Sequence, residues 1–291
     1  MTAPFFLDID PRIAADPDAP YCVLPLPYER TVSYGGGTGQ GPAAILRASH
    51  EVEDFDERLK RPLDVAVQTL PPVPFEGSSE PEAMAAIEQA AAREMKRQRF
   101  VLALGGEHAV TPPLVKAACK AFGVKTVLQL DAHADLRDAY GGSPNSHACA
   151  MRRCRDLGVN TVHVGIRSCS AAEYREWIEP GRTTVFWAAD IHTDTGSAWI
   201  DAVSAVLTGP VYCSIDIDVF DPSLVPGTGT PDPGGLTWQQ VTRLIRTVVR
   251  RHNVVAADIV EVAPIAGSQV SEFVAARLGA RLLMEHLHRT D

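Results

Sequence analysis

Eight short runs of apolar or β-branched residues punctuate the chain: Cys22–Leu26, Asp64–Thr69, Phe100–Leu104, Thr126–Leu130, Thr161–Ile166, Thr183–Trp187, Val211–Ile217 and Val254–Val262. Several are apolar at consecutive positions, the pattern of strands buried on both faces of a parallel sheet. Helical patterns fill most of the gaps. Ser79-x-x-Glu82 opens a stretch running to Arg99, and Thr111-Pro112 opens one ending at Phe122. Ser170-x-x-Glu173 and Thr237-x-x-Gln240 are further helix-starting capping boxes, and residues 269–288 are helical in pattern. Strands alternating with helices predict one α/β domain over residues 1–291. It has three α/β/α layers and a mostly parallel eight-stranded sheet, with residues 1–20 as an N-terminal arm. The Pro/Gly-rich stretches Leu70–Gly77 and Pro222–Gly235 read as loops within it.

Ligands of such sheets bind beyond the carboxyl ends of the strands. Polar residues recur there: Gly105-Gly106-Glu107-His108 after the third run, Asp131-Ala132-His133-Ala134-Asp135 after the fourth, Gly165-Ile166-Arg167-Ser168 ending the fifth, Asp216-Ile217-Asp218 ending the seventh, and Glu261 ending the eighth. In an extended segment alternate side chains share a side, so Asp-x-His-x-Asp presents three ligands together. Ser214, Asp216 and Asp218 share a face in the same way. Like charges on one strand face repel unless a cation lies between them. Read singly, each cluster is also compatible with solvated loop acids, and His108 with a satisfied loop histidine. Together they offer four carboxylates and two imidazoles, too many ligands for one tetrahedral zinc. Hard oxygen donors with some imidazole suit two divalent ions, Mn²⁺ the best match. A binuclear site can deprotonate a bridging water near neutral pH. Asp221-Pro222 reads as a turn.

Composition narrows the partners. With 27 Lys plus Arg against 36 Asp plus Glu, the net charge is −9 and no basic run occurs, which argues against nucleic acid and mildly favours a cationic substrate. No apolar run is long enough to span a bilayer, and the acidic first 20 residues lack a basic segment before an apolar one, so neither a membrane span nor a signal peptide is expected. The six cysteines contain no C-x-x-C pair and read as free thiols of a cytoplasmic protein.

From about Tyr34 to Ala280 the chain resembles the ureohydrolases, the family of arginase and agmatinase with the arginase/deacetylase fold. The resemblance rests on Gly105-Gly106-Glu107-His108, Asp131-x-His133-x-Asp135 and the segment Ser214 to Pro222, in that order and separation. It implies that His108, Asp131, Asp135 and Asp216 hold one Mn²⁺ and that Asp131, His133, Asp216 and Asp218 hold a second, Asp131 and Asp216 bridging. It implies a proton-shuttling role for His147, a guanidinium-binding role for Glu261, and pocket positions for Thr230 and Asn145. Asp218 accepts the hydroxide proton in this reading. A histidine of ordinary pKa can protonate a leaving amine near pH 7, and a carboxylate can take a bidentate guanidinium. Glu107 stands where many members have Asp, at a position that is not a ligand. The glycine-rich segment Gly35 to Gly41 looks phosphate-binding but lacks the P-loop lysine and a preceding strand. Glu173 is most simply the capping partner of Ser170.

Where the arginase branch carries an Asn and an Asp for its substrate's α-groups, this chain aligns Arg137 and Ser170. Asp135-Leu136-Arg137-Asp138, Ser146 to Cys149, Arg152-Arg153 and Pro226 to Pro231 look like the agmatinase branch. The expectation is a manganese amidinohydrolase converting agmatine and water to putrescine and urea, as in polyamine biosynthesis, in a homo-oligomer (trimer or hexamer, from the resemblance alone). Aminopropylagmatine or guanidinobutyrate is the alternative substrate, with Asp138 a possible neutraliser of Arg137. A non-catalytic metal-binding homologue and a zinc deacetylase on the same fold are the alternatives from other classes.

Overall fold

The computed structural model describes residues 5–194 and 196–290. Its strands in chain order are β1 (Tyr21–Leu26), β2 (Phe55–Asp56), β3 (Arg61–Pro62), β4 (Val67–Thr69), β5 (Phe100–Gly105), β6 (Thr126–Leu130), β7 (Asn160–Ile166), β8 (Thr184–Trp187), β9 (Val211–Asp216) and β10 (Val254–Val260). Among the described residues, eight of them form one sheet in the order β4-β1-β5-β10-β9-β6-β7-β8, every pairing parallel. Each of the eight runs read from the sequence holds one of these strands. The short antiparallel pair β2–β3 was not legible in the pattern, because two-residue strands have no periodicity to detect. Only Val67–Thr69 of the second run pairs, along the first half of β1. The last run stops at Val260, because Glu261 turns to φ 65° and leaves the extended region.

Alternate strand residues feed two separate cores. Val23, Leu102, Leu128, Ile215 and Ile259 face one, against the helices Gly41–Ser49, Trp238–Arg251 and Val270–Leu287. Leu24, Val101, Val127, Tyr212 and Val260 face the other, against Glu80–Met95 and Thr111–Phe122. Helices on both faces explain the doubly apolar strands. The boxes at Ser79, Ser170 and Thr237 cap helices as expected. After Ser170, however, the helix continues as a π-helical turn over Tyr174–Ile178. Leu70–Gly77 and Pro222–Gly235 are loops. The Asp221 carboxylate pins the second by accepting from Ser223 N at 3.0 Å and Gly234 N at 2.9 Å, so Asp221-Pro222 is a turn. Near the N-terminus, Phe6 and Leu7 are buried, and Leu7 N donates to Ser49 Oγ at 2.8 Å.

Glycines set close approaches that align the loops above the sheet. A Cβ on Gly41 would lie 2.4 Å from the Val262 carbonyl oxygen, and one on Gly106 2.1 Å from that of Tyr28. Gly37 N and Gly39 N donate to the Glu29 carboxylate at 2.7 and 2.8 Å. The glycine-rich segment is therefore a packing device whose N–H groups already have an anion. Gly106→Ala must push apart backbone held by Glu107 N donating to Tyr28 O at 2.9 Å. It is expected to cost about 1–3 kcal/mol, the usual range for overpacking, read as a lower urea midpoint. An unchanged midpoint would refute the pinch.

Candidate metal centre and active site

The strands β5, β10, β9 and β6 are consecutive in the sheet, and their carboxyl ends carry the candidate ligands. Leu130 pairs with Ile215 and Val260 with Asp216, so Asp131 follows β6 directly beside Asp216 at the end of β9. His108, Asp131, Asp135, Asp216 and Asp218 are buried, and His133 is half-buried. Two groups of ligand atoms form, His108 with Asp131 and Asp135, and Asp131 with His133 and Asp218. Asp131 is common to both, as a bridging ligand must be.

The distances suit cations. His108 Nδ1 lies 3.1 Å from Asp131 Oδ2, 3.0 Å from Asp135 Oδ2 and 3.5 Å from Asp216 Oδ2. It has no hydrogen-bond partner of proper geometry despite being buried. His133 Nδ1 lies 2.9 Å from Asp218 Oδ2 and 3.6 Å from Asp131 Oδ1. Adjacent ligands of an octahedral ion with bonds of ~2.1 Å stand ~3 Å apart. The partners of each side chain orient it further. His108 Nε2 meets Ser214 Oγ at 2.9 Å, and Ser214 donates to Asp258 Oδ1 at 2.7 Å. Ser214 must then accept from His108 Nε2–H, so Nδ1 is the nitrogen turned to the carboxylate oxygens, where it carries a proton in the metal-free cluster and would offer its lone pair to a metal. Gln129 Nε2 donates to Asp131 Oδ2 at 2.6 Å, and Ala132 N to Asp218 Oδ1 at 2.9 Å. These orienting residues, Ser214 apart, were missed from sequence. A polar Gln129 and a charged Asp258 inside apolar strands were the available signals. The residues fit divalent metal ions.

Electrostatics shows the same need for positive charge. Burial pushes the Asp216 carboxyl well above the usual range, reinforced by the Asp218 and Asp131 charges. Burial and the Asp131 charge raise Asp135 to about 7. Burial alone would lower His133, but the Asp131 and Asp218 carboxylates outweigh it and raise it to about 12. The metal-free cluster thus holds protons where cations would sit.

A cavity of about 220 Å³ opens over this cluster, lined by His108, His133, Asp135 and Asp216 together with His147, Thr230 and Glu261. Glu261 Oε1 accepts His108 N at 2.6 Å, and burial holds its carboxyl well above the usual range. Asp135 and Glu261, both on the cavity wall, have left-handed backbones, φ 52° and 65°, which are uncommon for residues with side chains. Burial, then the charges of His108 and His133, push His147 down to about 4, so it is neutral at pH 7 rather than an ordinary histidine. Asn145 stands apart. Its amide donates to Glu80 Oε1 at 2.7 Å, and it lines a neighbouring groove, because residues 143–145 turn outward toward the helix that begins at Glu80. Glu173 is more than a cap. Its Oε1 accepts Leu136 N at 2.9 Å, it lines the cavity, and its Oε2 lies 3.7 Å from Arg137 Nε. Asp138 instead pairs with Arg153 at 2.7 Å.

Fold and site define an α/β protein with a carboxylate–imidazole cluster, able to hold metal ions, at the edge of its parallel sheet. The chain belongs to the arginase family, whose profile matches residues 19–287. It is 38% identical over 276 residues to an N(1)-aminopropylagmatine ureohydrolase of Synechocystis sp., covering 91% of this chain and 89% of that one. It is 37% identical over 249 residues to an agmatinase of Pyrococcus horikoshii, with 84% of each chain covered. Among solved structures, the proclavaminate amidino hydrolase from Streptomyces clavuligerus superposes with a TM-score of 0.87 at 26% identity, over 100% of this chain and 99% of that one. No helix among the described residues is long and apolar enough to cross a membrane.

Metal ions compete with protons for these ligands, which gives a pH signature. Asp135 and Asp216 have folded pKa values above the unfolded carboxylate range, so the metal-free protein loses their contribution as pH rises from about 4 toward the folded values. His133, raised to about 12, contributes stability below about 6.5 that is lost progressively above it. The gain in melting temperature on adding Mn²⁺ is therefore expected to be larger at pH 8 than at pH 5.5. A gain independent of pH, or none, would contradict a centre built on these groups.

Proposed function

We propose that this chain is a binuclear metal amidinohydrolase that hydrolyses agmatine to putrescine and urea. The carrying observation is that two ligand groups sharing Asp131 open onto a cavity also lined by Glu261 and His147. His108, Asp131, Asp135 and Asp216 would hold one ion, and Asp131, His133, Asp216 and Asp218 the other, with Mn²⁺ favoured by the mix of carboxylate and imidazole donors. Bound there, two such ions supply Lewis acidity and a hydroxide nucleophile near neutral pH.

The chain's own residues do the rest. Glu261, on its left-handed backbone and fixed by His108 N, directs a carboxylate oxygen to a guanidinium. Thr230 lines the same wall. Neutral His147 can take a proton at one ring nitrogen and hand it to the departing amine, and Asp218 can take the first proton of the nucleophile. Arg137 bears on substrate choice. At the cavity wall it lies 4.9 Å over the Tyr140 ring with Nε 3.7 Å from Glu173, so its charge is already shared with partners before any α-carboxylate arrives. Agmatine, which lacks that carboxylate, fits better than arginine. N(1)-aminopropylagmatine is the second reading. It has the same reacting group on a longer cationic tail, and relatives at 38% identity carry its name.

Urea release from agmatine, N(1)-aminopropylagmatine, guanidinobutyrate and L-arginine by Mn²⁺-loaded protein tests this. An unpartnered α-carboxylate and ammonium at ~1–3 kcal/mol each imply at least about 10²-fold lower kcat/KM for arginine. Faster turnover of aminopropylagmatine would select the second reading, and arginine as the best substrate would overturn both. His147→Asn should keep its metal content and lose about 10²–10⁴-fold in kcat. Unchanged turnover would remove His147 from the mechanism.

A further inference from the structure

Behind His147 lies a chain of hydrogen bonds that the reaction as described does not use. Glu107 is fully buried next to His108. Its Oε1 accepts the backbone N–H groups of Arg30 and Thr31, and its Oε2 accepts the Thr31 hydroxyl at 2.5 Å. Thr31 Oγ1 lies 3.1 Å from His147 N and 3.2 Å from His147 Nδ1. The segment is clamped from both ends. Gly106 packs on the Tyr28 carbonyl, and the Arg30 guanidinium donates to Ser78 O at 2.6 Å and Phe75 O at 3.1 Å.

A threonine hydroxyl carries one hydrogen and two lone pairs. Its hydrogen is committed to the Glu107 carboxylate, so toward His147 it can only accept. The His147 backbone N–H takes one lone pair, and the other is left for a ring N–H at Nδ1. Ser146 Oγ, 3.4 Å from Nδ1, and Ser33 Oγ, 3.4 Å from Nε2 on the far side of the ring, are both too distant to hold it firmly.

We propose that Glu107, acting through Thr31, fixes neutral His147 as the Nδ1–H tautomer and so keeps the Nε2 lone pair free to receive the proton that the leaving amine will take. Glu107 and Thr31 are positioning residues, and the assignment rests on His147 being the proton carrier. Neither residue is among those lining the cavity. Their effect is to make one nitrogen of the ring always a donor to protein and the other always the working site. Without that constraint a neutral imidazole divides between two tautomers, and only one presents a basic nitrogen at a fixed place.

The isosteric change Glu107→Gln is expected to reverse the chain. The glutamine oxygen keeps the two backbone N–H groups, its amide donates to Thr31, and the Thr31 hydroxyl turns to donate to Nδ1, leaving His147 as the Nε2–H form. Nitrogen-15 spectra of histidine-labelled, Mg²⁺-loaded protein read this directly, with the His147 signals assigned by their loss in His147→Asn. The wild type should show a protonated Nδ1 and a bare Nε2. Glu107→Gln should exchange them, and Thr31→Val should give a mixture that Thr31→Ser restores to the wild-type form. In Mn²⁺-loaded enzyme, Thr31→Val should lose up to about 10²-fold in kcat, the scale of a misplaced reacting group. Its KM should change by less than about twofold, because ground-state binding is untouched. An Nε2–H tautomer in the wild type, one tautomer population common to wild type, Thr31→Val and Glu107→Gln, or wild-type kcat in Thr31→Val would each overturn the proposal. Failure of the His147 assignment itself shows separately, as full turnover by His147→Asn while the wild-type and Glu107→Gln spectra still show the expected exchange of tautomers.

Discussion

Everything at the functional end of this molecule answers to one constraint: four buried carboxylates converge within a few ångströms of one another. Asp131, Asp135, Asp216 and Asp218 are each buried, and ionised acids so placed repel strongly in a low-dielectric setting. The two imidazoles beside them relieve this only by taking up protons. Divalent cations relieve it while leaving the acids charged. The cluster is therefore poorly suited to stabilising a fold by itself and well suited to holding metal, and the surrounding structure can be understood as what keeps it assembled.

That support is built in layers. Asp258 collects hydrogen bonds from Ser214, Thr111 and Tyr212, and through Ser214 it sets which nitrogen of His108 faces the acids. Gln129 bonds both Asp131 and the His133 carbonyl, and its own amide oxygen meets His163. Asp135 and Glu261 adopt left-handed backbones that a side chain resists, and such strain persists only where neighbours over-determine it. Gly41 and Gly106 let loops approach more closely than any Cβ would allow. On the opposite wall, Glu107 and Thr31 orient His147 by the logic with which Asp258 and Ser214 orient His108: a buried carboxylate takes the hydroxyl hydrogen, so the hydroxyl must accept from the ring.

The sequence was informative where chemistry depends on local spacing and less so where it depends on surroundings. Asp131, His133 and Asp135 share a segment, so the ligand set could be read from local spacing, although the left-handed backbone of Asp135 departs from the extended geometry assumed for it. His147 could be singled out, but its low pKa arises from burial and from His108 and His133 across the cavity, which no neighbour in sequence reveals. Asn145 sits two residues before His147 and still points elsewhere, held by Glu80. Glu173 read as a helix cap and is one, yet the same carboxylate lines the cavity beside Arg137, a partner from a different strand end. The acid adjacent to Arg137 in sequence, Asp138, turns instead to Arg153.

By itself the sequence determined the eight strands, most of the helix starts, the parallel α/β class and the composition of the ligand set. These follow from apolar runs, capping boxes and alternate-residue geometry, all of which act over a few residues. Only the tertiary structure decided that β5, β10, β9 and β6 lie side by side in that order, although the chain makes them in the order β5, β6, β9, β10. That crossover places Glu261 between the His108 strand and the Asp216 strand, and Asp216 beside Asp131. The tertiary fold also brings Thr31, in the loop after β1, against His147, 116 residues away. The physical reason is that strand order is set by how helices cover both faces of a twisted sheet, a packing of the whole chain that no single segment encodes.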